Sequence, residues 1–201
     1  MNIDQNTQSP SARPAVRLLG ISGSLRRDSH CTAVLRTLAD RMREGVTLTL
    51  HSLEEVPLYN ADHDGDQAPG AVKSFKSAIS MADGLVICSP EYNYGMPGVL
   101  KNAIDWASRP AFKSPLVDKP VLIMTASPGT AGGVRAQYQV REALSATLAR
   151  PISRPQVAIA SVAQKVSEGR LADAATLEFV DAAVADLLRE IAMLRTAHPG
   201  R

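Results

Sequence analysis

Three short stretches of the 201-residue chain concentrate side chains suited to binding chemistry. The first is Gly20-Ile-Ser-Gly-Ser-Leu-Arg-Arg-Asp-Ser-His-Cys-Thr32. It combines hydroxyls from Ser22, Ser24, Ser29 and Thr32 with the guanidinium of Arg26, just ahead of a helical pattern whose first N–H groups need acceptors. Such a loop suits a phosphate dianion. The helix dipole contributes only about 0.3–1 kcal/mol, whereas each charge-assisted hydrogen bond contributes about 1.5–3 kcal/mol. Donors from Ser24, Arg26 and Ser29 therefore dominate the expected grip. Taken alone, the stretch equally describes a serine-rich helix cap, for which Asp28 or Ser29 suffices.

The second stretch is Ser89-Pro-Glu-Tyr-Asn-Tyr-Gly-Met-Pro-Gly98. Its prolines and glycines fix an unusual backbone path, Tyr92 and Tyr94 offer flat surfaces, and Asn93 both donates and accepts. A planar heterocycle with a donor–acceptor edge suits that wall better than an ordinary turn would need. The third, Ala126-Ser-Pro-Gly-Thr-Ala-Gly-Gly133, carries glycines that let backbone approach a flat ring, though a flexible turn has nearly the same composition.

These stretches must be positioned by the elements between them. Short β-type runs at Val16–Ile21, Val46–Leu50, Leu85–Cys88, Val121–Thr125 and Val157–Val162 alternate with helical patterns. The helices are expected from Ser29 to before Gly45, from Pro69 through Ile79, over Pro97–Ala107, from Gly132-Gly133 to Leu148, and over Leu171–Leu194. Five alternations demand a parallel sheet with helices on both faces and right-handed crossovers. Ligands in such sheets bind beyond the carboxyl ends of the strands. All three stretches fall there.

Composition narrows the function classes. A net charge of +2 with scattered charges argues against a dedicated nucleic-acid surface. Two cysteines without paired spacing, Cys31 and Cys88, support neither a disulfide framework nor a zinc site, and no metal is expected. No run approaches the roughly 20 apolar residues of a membrane helix. The polar residues 1–14 read as a disordered lead-in rather than a secretory signal, leaving residues 15–196 as one domain and the cytoplasm as the expected compartment. The first loop is neither a Walker loop nor a dinucleotide fingerprint. His30, His51 and His63 with Ser24 or Ser127 do not make a hydrolase, since neither serine sits in a GxSxG elbow. Arg17, Arg27, Arg109, Lys113 and Arg135 are candidates to recruit nucleotide phosphates, most of them expected to be plain solvated charges.

At these residues the sequence resembles the NADPH-dependent FMN reductase family, which includes quinone, chromate and azo-dye reductases. GSLRRDS (Gly23–Ser29) is similar to its phosphate loop, PEYNYGMPGVLKNAIDW (Pro90–Trp106) to its flavin loop and following helix, and VPLYNAD (Val56–Asp62) to its segment after strand two. The resemblance spans about Val16 to Leu144. It implies a flavodoxin-like three-layer sandwich with a five-stranded parallel sheet of order 2-1-3-4-5. It implies that Ser24, Arg26 and Ser29, with neighbours His30 and Cys31, hold the FMN phosphate. Pro90, Glu91, Tyr92, Asn93, Tyr94 and Gly95 would line the isoalloxazine, with Ser127 and Gly129 on the third side. Cys31 stands where the family commonly has asparagine, and Gly95 where serine is frequent. The implied activity is electron transfer from NADPH or NADH through FMN to small acceptors such as quinones, chromate, azo or nitro compounds, or free flavin. No catalytic side chain is required, because the cofactor carries the chemistry. A homodimer or homotetramer is implied as well. The competing reading is a non-enzymatic electron carrier or flavin-binding module on the same fold.

Overall fold

The computed structural model describes residues 16–197, so the lead-in expected over residues 1–14 lies outside the described residues. In chain order the first elements are β1 (Val16–Ser22), α1 (His30–Asp40), β2 (Val46–His51), α2 (Gly70–Met81), β3 (Gly84–Ser89), α3 (Gly98–Ala107), β4 (Pro120–Ala126) and α4 (Val134–Ala146). The short strands β5 (Arg150–Pro151), β6 (Val157–Ile159), β7 (Val166–Ser167) and β8 (Arg170–Leu171) follow, and α5 (Ala174–Ala197) ends the described chain.

Strand alternation decides how the layers form. Leu18, Val86, Cys88, Leu122 and Met124 point to one face, where they meet Val34, Leu35 and Leu38 of α1 and Val180, Val184 and Leu187 of α5. Their strand neighbours Leu19, Ile21, Leu85, Ile87, Val121 and Ile123 point to the other face, onto Phe75 and Ile79 of α2, Leu100 and Trp106 of α3, and Val140 of α4. Both faces being covered, β3 and β4 are buried along their whole length. Full burial of each such side chain contributes about 1.5–3 kcal/mol.

The strands run parallel in the order β2-β1-β3-β4-β5, with β6 also pairing β4. This is the 2-1-3-4-5 order expected from the resemblance. The fifth position differs from the single run expected over Val157–Val162. It is filled by two pieces: Arg150–Pro151 beside the start of β4 and Val157–Ile159 beside its end. Pro151 and Pro155 lack the N–H that a continuous strand would need, which accounts for the interruption. After β6 the chain turns at Ser161, φ 49°, into a short 3₁₀ turn.

The last helix also starts later than expected. Leu171 belongs to a β7–β8 hairpin whose two-residue turn, Glu168-Gly169, has φ of 49° and 70°. Its N–H donates to Thr37 Oγ1 at 2.8 Å and its side chain is buried in the α1/α5 layer. The helix begins after Asp173, whose carboxylate accepts from the Thr176 N–H at 3.0 Å.

Candidate functional site

The first loop leaves β1 beside β3, with Ser22 opposite Cys88, and enters α1 at its N-cap Ser29. It is braced internally. Ser22 Oγ accepts from the Ser24 N–H at 3.3 Å and from Thr32 Oγ1 at 3.0 Å, and donates to the Ser24 carbonyl. Ser24 Oγ accepts from the Arg26 N–H at 3.4 Å and Ser29 Oγ from the Thr32 N–H at 3.2 Å, so each hydroxyl keeps its own proton to donate. Ser24 and His30 are half-buried, Arg26 is exposed, and Ser29 is buried. Among the described residues, the N–H groups of His30 and Cys31 in the first turn of α1 have no acceptor.

Cys31 does not turn its side chain toward this loop. Its thiol is buried, with Sγ 4.0 Å from the Ala126 carbonyl at the end of β4. Contact with Cys31, and then burial, holds the Cys88 thiol well above its ordinary range. The Cys88 thiol is therefore a protonated packing group.

The second loop is a tight hairpin. Tyr92 and Gly95 exchange two backbone hydrogen bonds of 3.0 Å, and the two residues between them, Asn93 and Tyr94, have φ of 49° and 67°. Asn tolerates that region, whereas a tyrosine there stores strain on the order of 1–3 kcal/mol. The strained pair carries exposed rings: Tyr92 is 48% and Tyr94 69% accessible. Pro90 is half-buried at the base of the loop, where Ser89 Oγ donates to its carbonyl.

Glu91 is the residue that holds this hairpin. Its side chain, only 9% exposed, accepts from the Arg135 N–H at 2.9 Å and from Arg135 Nε at 2.7 Å, at the start of α4. The same guanidinium lies 3.9 Å from the Tyr94 ring centroid. Arg135 is thus a structural link between the second loop and α4. On the other side, the Met96 N–H donates to Gln139 Oε1 at 3.0 Å. A Cβ on Gly95 would meet that amide oxygen at 2.5 Å, so the glycine makes room for Gln139. Sequence reasoning missed Gln139. Its spacing from Arg135 on one helix face was the available signal.

The third loop is clasped to the end of β6 and the turn that follows. Ser127 N–H donates to the Ile159 carbonyl at 3.0 Å, Val162 N–H to the Ser127 carbonyl at 3.0 Å, and Ser161 N–H to the Gly129 carbonyl at 3.1 Å. Ser127 Oγ accepts from the Gly129 N–H. Gly132, at φ 63°, lies where a Cβ would be 2.9 Å from the Ala158 carbonyl carbon, so only glycine fits. Below it, the buried Gln137 donates to Thr125 Oγ1 and the Val157 carbonyl.

A fourth segment braces the others. The Pro57 carbonyl accepts from both Asn102 Nδ2 and Trp106 Nε1 at 2.8 Å, and Asn102 Oδ1 accepts from the Tyr59 N–H at 2.7 Å. Tyr59 stacks edge-on against Trp106 at 4.9 Å and donates to Asp64. Burial, followed by that carboxylate, pushes the Tyr59 phenol above its ordinary value. Of the other basic candidates, Arg109 pairs with Asp64 at 3.2 Å. Arg17 sits at the opposite, N-terminal end of the sheet, away from the three loops.

The parallel 2-1-3-4-5 sheet covered on both faces defines a flavodoxin-like protein, with the three loops gathered beyond the carboxyl ends of the first, third and fourth strands. Comparison with known proteins narrows the class. Residues 16–164 match the NADPH-dependent FMN reductase family, and the chain belongs to it. It is 42% identical over 166 residues to an NAD(P)H-dependent FMN reductase of Pseudomonas aeruginosa, covering 82% of this chain and 89% of that one. It is 39% identical over 167 residues to a quinone reductase of Escherichia coli, covering 81% and 88%. Among solved structures, the flavoenzyme NAD(P)H:(acceptor) oxidoreductase FerB from Paracoccus denitrificans superposes with a TM-score of 0.81 at 29% identity, covering 89% of this chain and 98% of that one. The chain is thus an NAD(P)H-dependent oxidoreductase whose cofactor is FMN. No helix among the described residues is long and apolar enough to cross a membrane.

Proposed function

We propose that FMN binds across the three loops and that the enzyme delivers electrons from NAD(P)H to small quinone-type acceptors. The supporting observation is the donor set of the first loop. The N–H groups of His30 and Cys31, the protons of Ser24 and Ser29, and the Arg26 guanidinium all belong to one loop and its helix start, without protein acceptors for those N–H groups among the described residues. Their chemistry fits a phosphate dianion. In this reading Pro90, Glu91, Tyr92, Asn93, Tyr94 and Gly95 form one wall for the ring, and Ser127 and Gly129 another. Glu91 contributes by holding the hairpin rather than by touching the ring. When bound, FMN supplies hydride acceptance and two-electron relay. Asn93, exposed at the hairpin tip, would supply the ring with a donor and an acceptor.

Quinones lead the acceptor classes because relatives from Escherichia coli and Burkholderia are named quinone reductase and 2-hydroxy-1,4-benzoquinone reductase. Chromate, azo and nitro compounds and free flavin fit the same open ring face. The reading includes a single domain over residues 15–196 and a cytoplasmic location, supported by two free cysteines. It also includes a homodimer or homotetramer, supported by the exposed Leu58, Phe112 and Tyr138.

The test is to load the protein with FMN, desalt it and record its visible spectrum anaerobically before and after NADPH. Bleaching within seconds, reversed by benzoquinone, is the expected result. Bleaching by dithionite alone would make the chain a carrier. Neither FMN binding nor NADPH oxidation in excess FMN would sink the flavin assignment.

A further inference from the structure

A cleft of about 370 Å³ lies beside the first loop, between it, the start of α1 and the end of β2. It is continuous with the phosphate loop, since Ser22, Ser24 and Arg26 form one wall. Arg27, Arg36 and His51 also line it. Arg36 lies one helical turn beyond Thr32, and His51 sits next to Ile21 in the β1–β2 ladder, one residue from the loop's start.

The charges here are uncompensated. Elsewhere arginines more often than not pair with a carboxylate, as Arg41, Arg109, Arg135 and Arg154 do. The guanidiniums of Arg26, Arg27 and Arg36 have no hydrogen-bond or ion-pair partner among the described residues. Glu54 is the only carboxylate in the lining. The His51 ring contacts the Ser52 carbonyl through Nδ1 at 2.7 Å, leaving Nε2 for a ligand. Leu50 and Leu53 supply an apolar floor. One FMN phosphate accounts for Arg26 but leaves Arg27, Arg36 and His51 unused.

We propose that this cleft is a second phosphate subsite, which takes the phosphate of an adenine nucleotide lying beyond the FMN phosphate. Two sources share that chemistry: the second phosphate of FAD bound in place of FMN, and the 2′-phosphate of NADPH. The subsite rests on the flavin reading above. Its residues fit an anion because guanidiniums form bidentate bonds to phosphate, and Arg27 and Arg36 line a cleft shared with the loop that, in the flavin reading, holds the first phosphate.

The experiment compares wild type with Arg27→Gln, Arg36→Gln and the double variant. Both side chains are exposed and unpartnered, so the variants keep their fold, which thermal melts verify. Binding of FMN and of FAD to flavin-free protein is read by flavin fluorescence. Binding of 2′,5′-ADP and of 5′-AMP to FMN-loaded protein is read by calorimetry. FMN affinity is expected to stay within threefold. Loss of one charge-assisted contact weakens the correct ligand by about tenfold or more. Weakened FAD alone assigns the subsite to the dinucleotide flavin. Weakened 2′,5′-ADP with 5′-AMP unchanged assigns it to NADPH. FMN binding with both other ligands insensitive overturns the subsite and leaves the flavin reading standing. Failure of FMN to bind wild type removes both.

Discussion

Removing the Glu91 carboxylate tests the claim that a buried link, rather than the loop's own sequence, shapes the second wall of the site. Glu91 is 9% exposed on its side chain, and Arg135 is 49% exposed. The shielded bond from the Arg135 N–H, at 2.9 Å, contributes about 1.5–3 kcal/mol as a charge-assisted contact. The Nε pair is half open to solvent, and screening reduces it to about 0.2–1 kcal/mol. Glu91→Ala is therefore expected to cost about 2–4 kcal/mol. At roughly 2–4 °C per kcal/mol for a domain of this size, Tm falls by about 4–16 °C. Glu91→Gln keeps an acceptor for the N–H but loses the charge, so it is expected to lose only about 2–4 °C. The flavin should report the same link. Without it, Tyr94 and its strained turn must be ordered on binding, which costs about 0.5–1.5 kcal/mol per side chain. That weakens FMN by about two- to tenfold. Differential scanning fluorimetry and flavin fluorescence titration measure both quantities. Equal melting temperatures for wild type and both variants, with unchanged FMN affinity, would refute the reasoning.

Three further perturbations separate local causes. Asn102→Ala strips Pro57 and Tyr59 of one partner each and is expected to cost about 1–3 kcal/mol, seen as a lower urea midpoint at unchanged slope; an unchanged midpoint would contradict it. Gly132→Ala meets both a positive φ and the Ala158 backbone and should lose about 2–4 kcal/mol, whereas Gly65→Ala, at φ 68° with nothing within 4 Å, should lose only about 1–2 kcal/mol; equal losses would remove the steric argument. The Asp173 carboxyl is held below its ordinary value by its bonds from Thr176. A depressed carboxylate stabilises fully above its unfolded value and loses that contribution as pH falls through the folded one. The melting-temperature gap between wild type and Asp173→Asn should therefore close on acidification below the ordinary aspartate range, and a gap constant with pH would count against the cap.

The parts of the fold that were legible are those in which local pattern and burial agree. β1 to β4 and α1 to α4 follow from apolar runs and helical spacing because both sheet faces are covered. The fifth sheet position was read as one strand because Val157–Val162 is apolar; the prolines at 151 and 155, which divide the position, act through missing N–H groups rather than hydrophobicity. The hairpin over Val166–Leu171 is not among the elements expected from the sequence, where its final residue starts the last helix. Its signal was Glu168-Gly169, a two-residue turn with a glycine second. At the site, the three loops were visible as concentrations of hydroxyls, rings and glycines. Their braces were not. Arg135 reads as a surface charge until the fold brings it, across 44 residues, onto Glu91. Cys31 likewise reads as a substitution inside the phosphate loop, whereas its side chain lies beneath, against β4.

The fourth brace explains how two sequence motifs some forty residues apart come to serve one site. Asn102 and Trp106 are one helical turn apart, so α3 presents both donors to the single carbonyl of Pro57. The N-terminal end of α3 receives the second loop through Pro97 and Gly98, while its buried face grips the segment after β2. A carbonyl accepting two buried donors resists displacement, because moving it leaves both donors unpaired at about 1–3 kcal/mol each. The hairpin that carries Tyr92, Asn93 and Tyr94 is thus fixed from two directions: by Glu91 and Gln139 to α4, and through α3 to Pro57 and Tyr59. A strained, exposed hairpin tip held by rigid supports leaves its rings presented rather than collapsed. In the proposed reading, that arrangement keeps the ring face open to successive nicotinamide and acceptor.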